Sequence, residues 1–192
     1  MASDFGSPRP LAKTTASPDL RATMSRRNKY TLFFLVLALG IGLDQVTKWI
    51  ATETLVGVGR IRVLGDLFAF TYAENDGAFL SLGSNWDPIV RLIVLTVLPG
   101  LLLIGVLFYM LLNNKVGRTE SWAFSLIAAG GIGNIIDRIA AGRVVDFMHM
   151  DFWGIVETGV FNVADLYIMI GIGIYIVAYF RMRKKPEPET TA

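Results

Sequence analysis

The chain reads as a polytopic membrane protein. Four transmembrane α-helices, with N- and C-termini both in the cytoplasm, would carry a small extracytoplasmic β-cradle and a short interfacial helix. Three observations predict this fold class. Of 192 residues, 53% are hydrophobic and 18% charged, too apolar for an ordinary soluble domain. Four apolar runs are long enough to cross a hydrocarbon core. The lysines and arginines cluster beside those runs and form no stripe interleaved with aromatics, a pattern of membrane orientation and not of nucleic-acid binding. Cysteine is absent and His149 is the one histidine. Disulfides, thiolate sites, a cysteine nucleophile and a histidine-rich metal site are therefore excluded, and no metal or cofactor is expected.

Residues 1–29 are rich in Ser, Thr, Pro and Ala without apolar periodicity, and predict a disordered extension in which Met24 is an alternative start. Tyr30 to Ile50 is the first span, about 31 Å long as helix. The basic residues before it also suit a signal peptide, but no small-residue cleavage site closes the run and further spans follow, which favours a retained anchor. In the connection after it, Ile61–Val63 and Leu67–Tyr72 read as strands split by Gly65-Asp66. Ile89 to Leu112 is the second span, with Pro99-Gly100 near its middle predicting a kink. The third runs from Trp122 to Ala140 and carries Gly130-Gly131-Ile132-Gly133, where a neighbouring helix can approach closely. Arg143–Phe147 reads as another strand. Val160 to Phe180 is the fourth span, closed by Arg181 to Lys185, and residues 182–192 read as a disordered cytoplasmic tail. A single membrane domain thus covers residues 30–181.

Arg26, Arg27 and Lys29, then Lys115 and Arg118, then Arg181 to Lys185 all fall on one side of a four-span chain. The positive-inside rule makes that side cytoplasmic. The opposite connections are acidic. Ionisable residues inside a bilayer cost at least a few kcal/mol near its centre, so each needs a partner, a wet cavity or a function. Here they share one level. Asp44 and Lys48 lie toward the outer end of span one, Asn134, Asp137 and Arg138 toward the outer end of span three, and Asn162 and Asp165 at the outer start of span four. Asp146 lies in the connection between the last two.

Each has a plain structural reading. Asp44 and Lys48 are spaced i,i+4 with the acid first, which makes a structural clasp. Arg138 can snorkel to the interface. Asn162 can cap span four, leaving Asp165 stabilised by that helix's positive end. Convergence argues for more. Two carboxylates from different segments, Asp146 and Asp165, with carboxamides nearby, are what acid–base hydrolysis requires: brought close together, they cannot both ionise. There is no Gly-x-Ser-x-Gly and no His-Glu-x-x-His. A serine–lysine peptidase would need Lys48 beside Ser81 or Ser84, and nothing in the spacing supports that pairing.

At these residues the sequence resembles the bacterial lipoprotein signal peptidases, also called signal peptidase II, membrane aspartic peptidases that process prolipoproteins. The resemblance is carried by Asp44-Gln45-Val46-Thr47-Lys48, Asn75-Asp76-Gly77-Ala78-Phe79, Gly130 to Arg138, Gly142-Arg143-Val144-Val145-Asp146-Phe147 and Phe161-Asn162-Val163-Ala164-Asp165, in the family's order. It implies that Asp146 and Asp165 are the catalytic aspartates and that Asn134 and Asn162 support them. It further implies that Arg138 and Asn75 line the substrate path with Gly77 among the supporting positions, and that Asp44, Lys48 and Asp137 hold the site together. The interfacial helix it implies falls on Ala78 to Leu82. The implied substrate is a diacylglyceryl-prolipoprotein, cleaved before its lipidated cysteine by a monomer in the bacterial inner membrane, with membrane lipid as the other partner and no nucleic acid. Phe68, Phe70, Tyr72, Phe79, Trp86 and Trp153 either grip an acyl chain or form an interfacial belt. Which aspartate is the base is left open by sequence, because a coupled pair titrates as a unit. Two other classes compete. A small ion- or proton-coupled transporter needs polar residues in both halves of the membrane, and the cytoplasmic halves here are apolar. A membrane scaffold needs no dyad and tolerates Asp146→Asn.

Overall fold

The structure, a computed structural model, describes residues 24–77 and 82–183. The expected N-terminal extension before Met24, most of the expected interfacial helix and the end of the tail lie outside the described residues. Leu82, the last residue of that expected helix, is in a turn.

The first helix, α1, runs Arg26–Leu55, longer at both ends than the apolar run alone suggests. Ser25 caps it, its hydroxyl accepting from the Asn28 N–H at 3.2 Å, so residues 26–29 are helical and not part of a disordered extension. At the other end Ala51 and Leu55 continue the helix because they are buried under the sheet with Phe147, Met148 and Phe161. The second span is composite: α2 (Pro88–Leu92), a π-helical turn (Ile93–Val97) and α3 (Leu98–Leu112). The irregularity expected at Pro99 sits just before it. Proline lacks an N–H and its ring crowds the carbonyl four residues back, here Leu95, and a widened turn relieves that clash. The third helix of full length, α4, spans Arg118–Ala141 and ends on Gly142, whose φ of 73° is the left-handed cap position glycine occupies without strain. The last, α5, spans Val163–Arg183. Among the described residues, four helical stretches are thus long and apolar enough to cross a membrane.

At the end holding the start of α1, Arg26 and Lys29 bond Asn114 and the Asn113 carbonyl just beyond α3, and Tyr30 bonds the Leu111 carbonyl in its last turn. A cluster of Phe33, Met110, Val116 and Ala128 packs below them. The opposite end carries an antiparallel sheet in the order β1 (Ile61–Arg62), β2 (Phe68–Asn75), β3 (Val144–Phe152), β4 (Val156–Glu157). β2 and β3 outrun the expected strands, and β4 is additional. The β3–β4 turn places Trp153 and Gly154 at positive φ, as a type I′ hairpin requires, with the Ile155 N–H on the Phe152 carbonyl. His149 on β3 lies against the Arg60 guanidinium, tying the segment before β1 to the sheet.

The β2–β3 register shifts between Phe70 and Ala73, which oppose Met148 and Asp146. This extra residue in β2 has a positional consequence. In a regular strand Phe70 and Asn75 would face opposite ways; the bulge puts both on the face that carries Asp146.

Small residues let the helices close around the polar groups. A Cβ on Gly131 would stand 2.7 Å from Leu103 Cδ1, and one on Gly133 2.5 Å from Asp44 Oδ2. At Gly130 the obstruction is the Ala164 carbonyl oxygen, with Ile168 Cγ1 at 2.9 Å, so α4 lies on the backbone of α5. Gly130→Ala is expected to force the two helices apart and cost about 1–3 kcal/mol, read as a lower unfolding temperature in detergent. An unchanged unfolding temperature would disprove the close contact.

Candidate active site

Lys48 on α1 is buried, and its ammonium is the centre of one half of the site. It lies 2.8 Å from Asp44 Oδ2, 2.7 Å from Asp137 Oδ2 and 2.9 Å from Asn134 Oδ1. The ammonium donates hydrogen bonds to Asp44 and Asn134 and holds Asp137 as an ion pair. The i,i+4 clasp read from the sequence therefore exists, but it reaches across to α4 as well. Lys48 is buried among Asp44, Asp137 and Asn134 while Ser84 is an exposed turn residue, which removes the serine–lysine alternative for that residue; Ser81 lies outside the described residues. Asp44 is fully buried, and its other oxygen accepts the Ala164 N–H at the start of α5 at 3.0 Å.

The other half holds the two candidate aspartates. Asn162 and Asp165 form a reciprocal cap at the start of α5: the Asp165 N–H donates to Asn162 Oδ1 at 3.0 Å and the Asn162 N–H to Asp165 Oδ2 at 3.1 Å. The capping role expected for Asn162 is real, and the same side chain does more. Its Nδ2 donates to Asp146 Oδ1 at 2.6 Å and to Asn134 Oδ1 at 3.1 Å. Asn134 Nδ2 donates to Asp165 Oδ1 at 2.9 Å. Asn75, brought round by the bulge, donates from Nδ2 to Asp146 Oδ2 at 2.8 Å while its Oδ1 accepts the Gly77 N–H at 2.9 Å. Arg138 does not snorkel away: its Nη2 donates to the Gly77 carbonyl at 2.8 Å. All ten residues singled out in the sequence, Asp44, Lys48, Asn75, Gly77, Asn134, Asp137, Arg138, Asp146, Asn162 and Asp165, lie in one connected network.

Gln45, beside Asp44, joins the same network although its residue type alone assigns it no role. Its Nε2 donates to Asp137 Oδ1 at 2.8 Å, to Asp44 Oδ2 at 3.2 Å and to the Gly133 carbonyl at 3.3 Å. The signal was its place one residue from Asp44, on the side of α1 turned to the same helix.

A cleft of about 450 Å³ between the second span, α4 and α5 is lined by Leu95, Pro99, Gly131, Asn134, Arg138 and Asp165 among others. Its mostly apolar wall with one polar end suits an apolar segment whose polar group meets Asp165. Of the aromatics, Phe68, Phe70 and Tyr72 pack against the cluster under the sheet, whereas Trp86 and Trp153 are exposed; Phe79 lies outside the described residues.

Asp146 is 2% exposed. Burial strips its carboxylate of water and raises its pKa from 3.8 to about 6; the Asp165 charge adds to the rise, while the donors Asn75 and Asn162 and the Lys48 charge oppose it. A carboxyl whose pKa is raised in the folded state contributes stability that is fully present below its unfolded value, near 4, and lost as pH rises through about 6. The loss is on the order of 3 kcal/mol. The unfolding temperature is expected to fall over that window, and less so in Asp146→Asn; parallel curves for the two proteins would contradict it.

A family model described as signal peptidase (SPase) II matches residues 36–181. The chain belongs to the signal peptidase II family. It is 36% identical over 169 residues to the lipoprotein signal peptidase of Treponema denticola, covering 84% of this chain and 98% of that one. It is 38% identical over 168 residues to the lipoprotein signal peptidase of Chlorobium phaeovibrioides, covering 83% and 94%. Two bacterial membrane enzymes solved by the in meso method share the fold. One, at 2.3 Å resolution, has a TM-score of 0.72 at 24% identity over 89% of this chain and 99% of that one. The other, at 1.9 Å, has a TM-score of 0.67 at 25% identity over 84% and 97%.

Proposed function

We propose that this chain is a lipoprotein signal peptidase of a bacterial inner membrane, hydrolysing the peptide bond before the diacylglyceryl-modified cysteine of a prolipoprotein with Asp146, Asp165 and a water molecule. The observation that carries this reading is Asn162, which bonds both carboxylates at once, from its side chain to Asp146 and from its backbone to Asp165. Two carboxyls bonded by one residue, with Asp165 at the polar end of an apolar cleft, are the arrangement in which one proton is shared.

In the reaction one carboxylate takes a proton from water as the water oxygen bonds the scissile carbonyl carbon, and the other carboxyl gives its proton to the carbonyl oxygen. The gem-diol collapses when the first carboxyl protonates the leaving nitrogen, the C–N bond breaks, and the second carboxylate recovers its proton from a hydroxyl. No covalent enzyme intermediate is needed. The basic residues at the end opposite the sheet support an outward-facing sheet and a site near the outer surface, where a signal-peptide helix meets water. The four dyad oxygens each accept an N–H, which favours acid–base chemistry over a metal held by these carboxylates. A transporter would need a polar path through the other half of the bundle. There the Ser121 and Ser125 hydroxyls are bound to backbone carbonyls one turn back.

The test is incubation of the purified chain with a diacylglyceryl-modified prolipoprotein, with mass spectrometry of the products. Cleavage directly before the modified cysteine, unaffected by EDTA, is the expected result. No cleavage, cleavage elsewhere, or loss on chelation that a divalent ion restores would each overturn it.

A further inference from the structure

We propose that a groove on the flank of α5, at the end of the bundle away from the sheet, is a binding site for an anionic phospholipid, with one acyl chain lying along the helix and the phosphate paired with Arg181 and Thr119.

The groove has a volume of about 330 Å³ and is lined by Ile170, Gly173, Ile174, Val177 and Arg181 of α5 and by Thr119 of α4. These α5 positions recur every three or four residues, so they form one stripe along the helix. The stripe is hollow because Gly173 has no side chain: a Cβ there would meet nothing within 4 Å. The helix leans on α4 through Gly171 instead, where a Cβ would stand 2.7 Å from the Ala123 carbonyl oxygen. Ile170 and Val177 are half exposed, so the groove is open on its outer side. From Ile170 to Arg181 the helix advances about 17 Å. One leaflet's share of the hydrocarbon core is about 15 Å. The groove thus runs from near the middle of the bilayer to its surface, which is the path of a single acyl chain.

The polar end of the groove decides the kind of lipid. Thr119 stands in the first turn of α4, where backbone N–H groups lack partners within the helix. Glu120, the carboxylate of that turn, is committed to the cap and accepts the Gly117 N–H at 2.9 Å. Arg118 beside Thr119 is exposed, and Arg181 is followed in the sequence by Arg183, Lys184 and Lys185. Basic pockets between transmembrane helices take anionic headgroups, and the guanidinium fork matches two oxygens of a phosphate. An interfacial anchor would account for the charge of Arg181 but not for an open groove that ends at it. A second copy of the chain, packed on the same stripe about a two-fold axis along the membrane normal, would set Arg181 against Arg181. Like charges would then meet, whereas an anionic headgroup completes the charge.

The experiment is native mass spectrometry of the purified full chain in detergent with an equimolar mixture of phosphatidylglycerol and phosphatidylcholine of matched acyl chains. Wild type, Arg181→Gln, Gly173→Leu and Arg27→Gln are compared. Wild type is expected to retain a single lipid, phosphatidylglycerol over phosphatidylcholine by about fivefold, the effect of one arginine near an anionic headgroup. Arg181→Gln is expected to abolish that preference. Gly173→Leu fills the groove with a better helix former and is expected to lower retention of both lipids. Arg27 is exposed at the start of α1 and does not line the groove, so Arg27→Gln is expected to keep the preference. Equal retention of the two lipids by wild type, or a preference that survives Arg181→Gln, overturns the headgroup contact. A preference weakened as much by Arg27→Gln as by Arg181→Gln shows diffuse attraction to net charge and overturns the site. Unchanged retention in Gly173→Leu puts the lipid elsewhere, and a wild-type dimer that this variant dissociates makes a second copy the occupant; either result overturns the proposal. Arg181→Gln decides the question even where Gly173→Leu fails to fold, and none of these readouts depends on cleavage.

Discussion

Asp146→Asn and Asp165→Asn are each expected to lose cleavage by about 10²–10⁴-fold while remaining folded. Asparagine is nearly isosteric with aspartate but neither takes a proton from water nor gives one to a carbonyl at neutral pH. The fold should survive because most of the local bonds do. Asn162 keeps its cap on the Asp165 N–H in both variants. In Asp146→Asn one of the two amide donors, Asn75 or Asn162, keeps an acceptor and the other meets an NH₂. That loss is offset above about pH 6, where wild type holds a buried anion and the variant does not. The variant is therefore expected to gain on wild type in stability as pH rises. In Asp165→Asn the new amide can still accept the Asn162 N–H, while its NH₂ faces that of Asn134. The measurement pairs cleavage rate with unfolding temperature for each protein. Retained activity in either folded variant would remove that residue from the chemistry. Complete unfolding of both would contradict the bonding described here.

How much of this was legible beforehand depends on which physical term decides each feature. The spans were legible because an apolar run must be about as long as the bilayer is thick, and their ends were not, because Ala51 and Leu55 extend α1 only by packing under a sheet the run itself does not encode. The common level of Asp44, Lys48, Asn134, Asp137, Arg138, Asn162 and Asp165 followed from counting residues along alternating spans. What counting does not supply is direction. Asn75 has the wrong parity to share a face with Phe70, and only the bulge in β2 brings it to Asp146. Arg138 had an equally good route to the interface, and the Gly77 carbonyl, from a segment far off in sequence, turned it inward. The Asp44–Lys48 spacing announced a pair, yet the third and fourth members, Asp137 and Asn134, depend on how closely α1 lies on α4, where a Cβ on Gly40 would stand 2.8 Å from Ala129 Cβ. The π turn at Ile93–Val97 lies a few residues before Pro99 because the clash acts on the preceding carbonyls and not on the proline itself.

Lys48→Met is expected to be the most destabilising single substitution in the site, at about 3–5 kcal/mol. Methionine fills the volume of the stem, so packing is nearly preserved and the change isolates the charge. What remains is the fully buried carboxylate of Asp44 and the nearly buried one of Asp137, facing each other without the cation that lies 2.8 and 2.7 Å from them. Breaking a buried pair from one side costs far more than the pair contributes over a neutral replacement, because the desolvation of the surviving charge is no longer repaid. Gln45 bonds both carboxylates but is a neutral donor and cannot take over. The sign of the next step follows from the same reasoning: adding Asp137→Asn to Lys48→Met removes one stranded charge and is expected to recover part of the loss, although Asp137→Asn alone destabilises. Lys48→Arg should fall between wild type and Lys48→Met, since a planar guanidinium keeps the charge but cannot aim three donors at three oxygens around one atom. Thermal unfolding of wild type and the four variants in one detergent reads all of this. A loss below about 1 kcal/mol for Lys48→Met, the range of an exposed pair, or additive losses in the double variant, would show that the charges are solvated and that Lys48 is not the clasp between α1 and α4.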